Sequence, residues 1–218
     1  MTEIRDSARR AARQAGTGRS ALQDASDTQL AIELIGLGAR PQVVEAEVAL
    51  SRNRVYRLYR ELRSASPPKG MLPFSADWFV AWRANAHASY LLSSYDFMVA
   101  EGGLAGIRAV LSSYRVYAEQ VAASGEERLL SFTRFWTLVR FREDGLLQLS
   151  ACPCCGGRYV THAHAPAIGS LCGLCEPPPR VCRGARAAGG AEAARQVSAA
   201  APMCQAPESM GVSIAAPA

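Results

Sequence analysis

The densest chemistry in the sequence is a group of cysteines near residue 160. Five of the seven cysteines lie in the stretch CPCCGGRYVTHAHAPAIGSLCGLC, residues 152–175. It contains two C-x-x-C pairs, and sixteen residues separate the first pair from the second. Two such pairs at this separation are typical of zinc ribbons, in which four thiolates complete the tetrahedral coordination of one ion. We therefore expect one structural Zn²⁺ per chain, bound by Cys152, Cys155, Cys172 and Cys175.

Neighbouring residues bear on what kind of site this is. Four reduced cysteines without a metal, or an iron–sulfur centre, remain alternatives. Cys154 is expected to be a bystander, and His162 and His164 are expected beside the site or at the surface, because four cysteines already fill the tetrahedron. A catalytic zinc needs an open coordination position and a nearby glutamate, and the sequence has no H-x-E motif. The pattern indicates a metal site with a structural role, in a protein that is not an enzyme.

The overall composition is basic and points towards nucleic acid. The 218 residues carry a formal net charge of +5, and Lys69 is the only lysine, so nearly all of the positive charge is arginine. Arginine binds phosphate and guanine edges bidentately, although a GC-rich genome would give the same composition. There is no apolar run of about 20 residues for a membrane span and no secretory signal. We therefore expect a cytoplasmic protein without membrane contact, which favours metal ligands over disulfides.

Upstream, residues 40–63 (RPQVVEAEVALSRNRVYRLYRELR) predict two helices joined by a tight turn. Pro41 suits the first position of one helix, and Ser51 suits the cap of the next. The second helix has an apolar stripe on one face (Val55, Leu58, Tyr59, Leu62) and arginines on the other. With the preceding DTQLAIELIGLGA as a first helix, this is typical of a helix-turn-helix, whose second helix reads bases mainly with its N-terminal residues.

The candidate DNA-binding residues follow from this arrangement. Asn53, Arg54 and Arg57 are expected to read bases, and Arg60 and Arg63 to lie nearer phosphate. The full predicted set is Arg52, Asn53, Arg54, Arg57, Arg60, Arg63 and, in the cysteine module, Arg158. Two positions depart from the usual pattern, since Glu45 stands where a small residue is common and Ala49 replaces the usual turn glycine. The alternative is an amphipathic helix whose arginine face is only solvated.

Breaks in composition divide the chain and predict a mainly α fold. We expect a helix-turn-helix-like N-terminal unit and a helical core, followed by a small zinc-ribbon-like module with four cysteines. Apolar residues of the central helices, including Trp82 and the aromatic residues of 130–141, are expected in the core. The expected divisions are a disordered basic arm (1–25), the helix-turn-helix-like segment (26–66), the helical core and partner-binding region (67–149), the zinc-binding module (150–182) and a disordered Ala/Pro/Gly-rich tail (183–218).

Several long stretches closely resemble one known family. They are LAIELIGLGARPQVVEAEVALSRNRVYRLYRELR, SPPKGMLPFSADWF, RFWTLVRF, GLLQLSACPCCGGRYVTHAH and CGLC. These stretches resemble the flagellar transcriptional regulator FlhC, over about residues 26–180. The resemblance implies a cytoplasmic bacterial DNA-binding protein with a four-cysteine zinc site.

The resemblance also implies partners. It implies a hetero-oligomer with FlhD that contains more than one FlhC chain. That complex would bind promoter double-stranded DNA of flagellar operons and recruit RNA polymerase. The competing interpretation is a zinc-ribbon adaptor that binds protein only, with its arginines serving solubility.

Overall fold

The described part of the chain is mainly helical, as the sequence predicts. The computed structural model describes residues 20–165 and 170–179. Its helices are α1 (Ala21–Gly36), α2 (Pro41–Glu47), α3 (Arg52–Arg63), a short 3₁₀ helix (Asp77–Val80), α4 (Trp82–Ala100), α5 (Gly106–Ala123) and α6 (Phe132–Glu143). Strands β1 (Leu147–Ala151) and β2 (Arg158–His162) follow as an antiparallel hairpin. The expected mainly α fold with a cysteine cluster after the helices is confirmed.

The start of α1 differs from the boundary that the sequence suggested. We placed the end of the N-terminal arm at residue 25, but the helix begins at Ala21. The cause is local, because the Ser20 side chain accepts a hydrogen bond from the Leu22 amide at 3.3 Å and so caps the first turn. The rest of the expected arm, residues 1–19, lies outside the described residues, as does the expected tail at 183–218.

Helices α1, α2 and α3 contact one another and form the predicted three-helix unit. Pro41 occupies the first turn of α2, and the Ser51 side chain caps α3 by accepting from the Arg54 amide. Val55 and Tyr59 are buried against the unit. Leu62 was expected on the same stripe but is 44% exposed. Its side chain lies near the end of α3, beyond the part of the stripe that is covered.

An aromatic cluster fills the space between α5 and the first half of α6. Tyr114 packs edge-on against Phe132 with ring centroids 5.2 Å apart. The ring of Phe135 is stacked on that of Tyr114, with centroids 6.3 Å apart. The Tyr114 hydroxyl donates to the Leu130 carbonyl at 3.0 Å. The expectation that Leu130, Phe132 and Phe135 belong to the core is confirmed.

The α1–α3 unit is joined to this aromatic cluster by two hydrogen bonds. The Arg40 amide donates to the Thr133 hydroxyl at 3.0 Å. The indole of Trp136, expected in the core, is half-buried and donates to the Glu47 carboxylate at 2.7 Å. Residues up to Phe74 and Met98–Thr137 therefore form one compact unit.

The second unit comprises Ser75–Phe97 and the described residues that follow from Leu138. Its core includes Phe79, whose ring lies 6.0 Å from that of Phe141. By its sequence, Ser75 would suit the cap of a helix that runs to Gly102, but the 3₁₀ helix intervenes and α4 begins only at Trp82. None of the helices described has both the length and the hydrophobicity that crossing a membrane requires.

Candidate metal centre and nucleic-acid interface

The four cysteines of the two C-x-x-C pairs come together at one point. Their sulfur atoms all lie within 4.8 Å of one another. The Cys152 and Cys175 sulfurs are 3.8 Å apart, and those of Cys155 and Cys172 are 3.7 Å apart. Sulfurs at about 2.3 Å from a central ion form a tetrahedron with edges of about 3.8 Å. The cluster therefore has the size and ligand chemistry to hold a metal ion.

Local backbone geometry forms each of the two cysteine turns. In the first turn, between β1 and β2, the Gly156 amide donates to the Cys152 carbonyl at 2.8 Å. Gly156 has φ +70°, a left-handed conformation that favours glycine. In the second turn the Cys175 amide donates to the Cys172 carbonyl at 3.0 Å. Each turn brings its two thiols to the same side, which is why the C-x-x-C spacing predicts the cluster.

Gly173 is required for a different reason from the one the sequence suggested. Glycines in cysteine turns commonly supply unusual backbone angles, and the sequence predicts this role for Gly173 as for Gly156 and Gly157. The φ of Gly173, however, is not positive. Instead, a Cβ on this residue would lie 2.8 Å from Cδ1 of Trp82 and 3.2 Å from its Nε1. The indole N–H donates to the Gly173 carbonyl at 2.7 Å. Glycine is needed here because the indole approaches the backbone so closely.

Helix α4 also holds the hairpin through two buried polar side chains. The Asn85 amide donates to the Val160 carbonyl at 2.7 Å, and the Ser89 hydroxyl accepts from the Val160 amide at 2.9 Å. Both backbone groups of the central β2 residue are thereby satisfied from the helix. Together with Trp82, these residues position the four-cysteine cluster. Sequence reasoning missed Asn85 and Ser89, because nothing in the sequence distinguishes them from the other polar residues of α4.

The thiols of the cluster differ in how readily they lose a proton. Burial raises the pKa of the Cys152 thiol, but backbone hydrogen bonds around Cys155, Cys172 and Cys154 outweigh this and lower it to about 6. Hydrogen bonds with the thiols of Cys155 and Cys172 raise the pKa of Cys175 to about 12. Without a cation the four groups therefore do not all ionise near neutral pH. A bound metal ion is what would favour four thiolates at once.

The remaining candidate ligands lie outside the four-sulfur group. His162 contacts the Asp77 carboxylate at 3.1 Å, and His164 is exposed. Neither histidine belongs to the group, as we expected. Cys154 is not one of the four either, but it is disulfide-bonded. The expectation of cysteines without disulfides is therefore wrong for that residue.

The predicted DNA-binding residues of α3 divide into two classes. Arg54 is held by α1, since its guanidinium donates to the Asp24 carboxylate at 2.7 Å and to the Thr28 hydroxyl at 3.0 Å. Arg63 donates to the carbonyls of Ile35 and Gly36, at 2.9 and 3.1 Å, and so caps the C-terminus of α1. Both side chains fasten the three-helix unit together.

The guanidinium groups of the other arginines of α3 are not held by α1 and can contact an external anion. Arg52 lies 5.3 Å from the ring of Tyr56 and contacts Glu45 at 3.6 Å, yet its side chain is 73% exposed. Among the described residues, Arg60 donates only to the Tyr56 carbonyl of its own helix. Within the described ranges, Asn53 and Arg57 are exposed and make no hydrogen bond or ion pair. Asn53, Arg57 and Arg60 share one face of α3, opposite Val55 and Tyr59.

Arg158, the candidate outside α3, is paired within the second unit. Its guanidinium contacts the Asp96 carboxylate at 2.8 Å, and the same carboxylate binds Arg142. This pairing could not be predicted from the sequence, because Asp96 lies far from both arginines along the chain. Arg158 belongs to the second unit, whereas the candidate residues of α3 belong to the first.

Comparison with known proteins identifies the family. A family model described as flagellar transcriptional activator (FlhC) matches residues 17–188. The chain belongs to the FlhC family. The flagellar transcriptional regulator FlhC of Cupriavidus pinatubonensis is 75% identical over 173 residues, which is 79% of this chain and 82% of the relative. The FlhC of Cupriavidus necator is 60% identical over 171 residues (78% and 84%), and that of Serratia marcescens is 53% identical over 166 residues (76% and 86%).

Membership in the FlhC family confirms the resemblance seen in the sequence. The match spans the three-helix unit, the helical core and the cysteine cluster. FlhC proteins are regulators of flagellar transcription and not an enzyme family. The site must therefore be interpreted as part of a transcriptional activator.

Proposed function

We propose that this chain is a DNA-binding transcriptional activator subunit for flagellar operons. In this proposal α3 enters the major groove of promoter double-stranded DNA, with its capped N-terminal end towards the bases. The observation that carries the proposal is the exposed face of α3, where Asn53, Arg57 and Arg60 make no side-chain hydrogen bond or ion pair with another element of the described chain. These side chains stand opposite the buried residues that fix the helix. Asparagine pairs with adenine and arginine with guanine in this groove.

The cluster of Cys152, Cys155, Cys172 and Cys175 would hold one Zn²⁺. Thiolate ligands suit zinc, and four of them leave no open position, so the ion would be structural and would supply folding energy to the hairpin. The sulfur separations of 3.7 and 3.8 Å support this ligand set. Iron would also accept four thiolates, and metal analysis of the purified protein distinguishes the two.

The paired arginines would have supporting roles. Arg54 can read a base only if it leaves Asp24, and Arg63 is committed to the end of α1. Arg158 can contact DNA backbone only in competition with Asp96. We therefore assign base reading mainly to Asn53 and Arg57, and phosphate contact to Arg52 and Arg60.

The partners in this proposal follow from membership in the family. The chain would act in the cytoplasm in a hetero-oligomer with FlhD that contains more than one copy of this chain. The complex would recruit RNA polymerase to flagellar promoters. Two copies would read two half-sites, since the symmetry of an operator mirrors that of the protein.

Binding of the FlhD complex to promoter and unrelated duplexes, followed by fluorescence anisotropy, tests the DNA contact. Arg57→Ala should cost about 1–3 kcal/mol on the promoter and little on unrelated DNA, if Arg57 reads a guanine. Asp24→Asn serves as the matched probe for Arg54, because it removes the carboxylate and keeps the arginine. If Arg54 reads a base, Asp24→Asn should tighten promoter binding and Arg54→Ala should weaken it. A complex in which Arg57→Ala binds the promoter like the wild type would contradict the assignment.

The second candidate is an adaptor that binds protein without touching DNA. It is favoured by the internal pairing of Arg54, Arg63 and Arg158, three of the seven predicted DNA contacts. In that case the purified complex would ignore promoter DNA even at low salt, where electrostatic binding is strongest. The same anisotropy measurement therefore decides between the two functions.

A further inference from the structure

A cationic groove lies beside α3, and it combines two of the predicted DNA contacts with residues outside that set. Its lining includes Gln42, Arg52, Tyr56, Arg60, Lys69 and Gly70, and its volume is about 560 Å³. One wall is α3, where Arg52, Tyr56 and Arg60 follow each other at intervals of four residues and so share a face. The other wall is the loop after α3, which carries the chain's only lysine. We call this feature the α3–loop groove.

The loop is held in place by α2 and the residue before it. The Gln42 side-chain amide donates to the Gly70 carbonyl at 2.9 Å. The Arg40 guanidinium donates to the Met71 carbonyl. Gly70 has φ +111°, which other residues rarely adopt, so the chain turns sharply just after Lys69. These contacts fix the backbone that carries Lys69 across from α3.

The charge in the groove is positive and mostly uncompensated. Arg52, Arg60 and Lys69 contribute three cations to the lining. Within the described ranges, Glu45 contacts one of these cations, Arg52, at 3.6 Å. Lys69 is exposed, and neither it nor Arg60 makes an ion pair there. Three cations on two walls of one groove create a site for an anion.

We propose that the α3–loop groove binds a phosphate ester, and that its source is the DNA backbone beside the bases that α3 reads. Arginines would form directional hydrogen bonds to phosphate oxygens, and Lys69 would act as a point charge from the opposite wall. The groove lies along the same helix whose adjacent face is exposed for base contact, so a strand held here would fix the register of α3 on the duplex. This inference rests on the proposed function.

Salt-dependent DNA binding tests the groove. Lys69→Gln and Arg60→Gln are measured separately in the full-length complex with FlhD, on promoter and unrelated duplexes between 50 and 200 mM salt. Each variant should lower the slope of log affinity against log salt by about 1. Because a phosphate contact carries no sequence information, the loss should be equal on both duplexes. Arg83→Gln is the matched control, since Arg83 is exposed on α4, carries the same charge and does not line the groove.

The outcomes distinguish failure of the groove proposal from failure of the proposed function. They also distinguish DNA backbone from a free nucleotide as the source of the phosphate. If the wild type binds DNA and Lys69→Gln keeps its affinity and salt slope, the groove does not hold the DNA backbone. A free nucleotide would be the source if deoxyadenosine monophosphate raised the melting temperature of the wild type but not of Lys69→Gln, with DNA binding unchanged. That result would also overturn the assignment to the backbone. A wild-type complex that binds neither duplex would refute the proposed function itself.

Discussion

The contact between Trp82 and Gly173 makes the sharpest prediction about the metal centre. In Gly173→Ala the new methyl group would meet the indole at 2.8 Å from Cδ1. Real Cβ contacts at this distance are essentially never seen, so the second cysteine turn or the indole must shift. Overpacking of this kind typically costs about 1–3 kcal/mol. The shift also puts at risk the hydrogen bond from the indole to the Gly173 carbonyl.

The cost should appear as weaker zinc binding. Because metal binding and folding of such a module are coupled, strain in the folded turn lowers the affinity for the ion. A cost of about 1–3 kcal/mol corresponds to a loss of about 5- to 150-fold in affinity. The assay is competition for zinc between the full-length chain and a chromogenic chelator, with thermal unfolding as a second readout. Leu174→Ala is the control within the same turn, because that side chain is 77% exposed and should be neutral.

A double mutant tests the physical reason. Trp82→Ala removes the atoms that the methyl group would strike, so Gly173→Ala should cost much less in that background than in the wild type. The backbone angle at Gly173 is open to alanine and would not add strain. If Gly173→Ala binds zinc normally, or costs the same with and without the indole, the close contact does not determine this turn.

Two further predictions concern the stability of the three-helix unit. Arg63→Met should destabilise it by about 1–2 kcal/mol in urea unfolding, because the carbonyls of Ile35 and Gly36 lose a charged donor. The control is Arg57→Met at an exposed position, which should change stability by less than about 0.5 kcal/mol. Equal effects of the two variants would rule out the capping role of Arg63. Tyr59→Phe should stabilise the unit by about 1 kcal/mol at neutral pH, since the buried hydroxyl has no partner in the described part of the chain. Burial raises the pKa of Tyr59 to about 12 in the folded protein, whereas it is about 10 in the unfolded chain. The free energy of unfolding of the wild type should therefore fall as the pH rises from about 10 through about 12. Tyr59→Phe has no phenol to ionise and should lack this fall. A wild type and a Tyr59→Phe variant with the same alkaline unfolding profile would contradict that shift.

Features that depend on local backbone geometry could be predicted from the sequence. A C-x-x-C turn brings its two sulfurs together whatever surrounds it, and two turns at zinc-ribbon spacing therefore predicted the cluster. The face of α3 followed from the rotation of about 100° per residue, and the cap at Ser51 and the proline at the first position of α2 followed from the needs of helix ends. Each of these features depends on residues within one or two turns of each other.

Features that depend on tertiary contacts could not be predicted in the same way. Periodicity placed Leu62 on the buried stripe, but the three-helix unit covers that stripe only as far as Tyr59. Gly173 was correctly singled out for the wrong reason, since its constraint comes from an indole 91 residues earlier in the chain. Asn85 and Ser89 gave no signal at all, because the backbone groups they satisfy lie on a strand that follows much later.

The arginines show how this limit affects function. The sequence predicts DNA contact for all five arginines of α3, but charge on a helix does not reveal which acids the fold brings to it. Asp24, 30 residues before Arg54, holds that guanidinium at 2.7 Å, and the backbone of α1 holds Arg63. What remains for an external anion is Arg52, Arg57 and Arg60, to which the fold adds Lys69. The salt dependence of DNA binding should therefore report fewer phosphate contacts than the seven predicted residues, and should include one contact from the loop that the helix pattern did not predict.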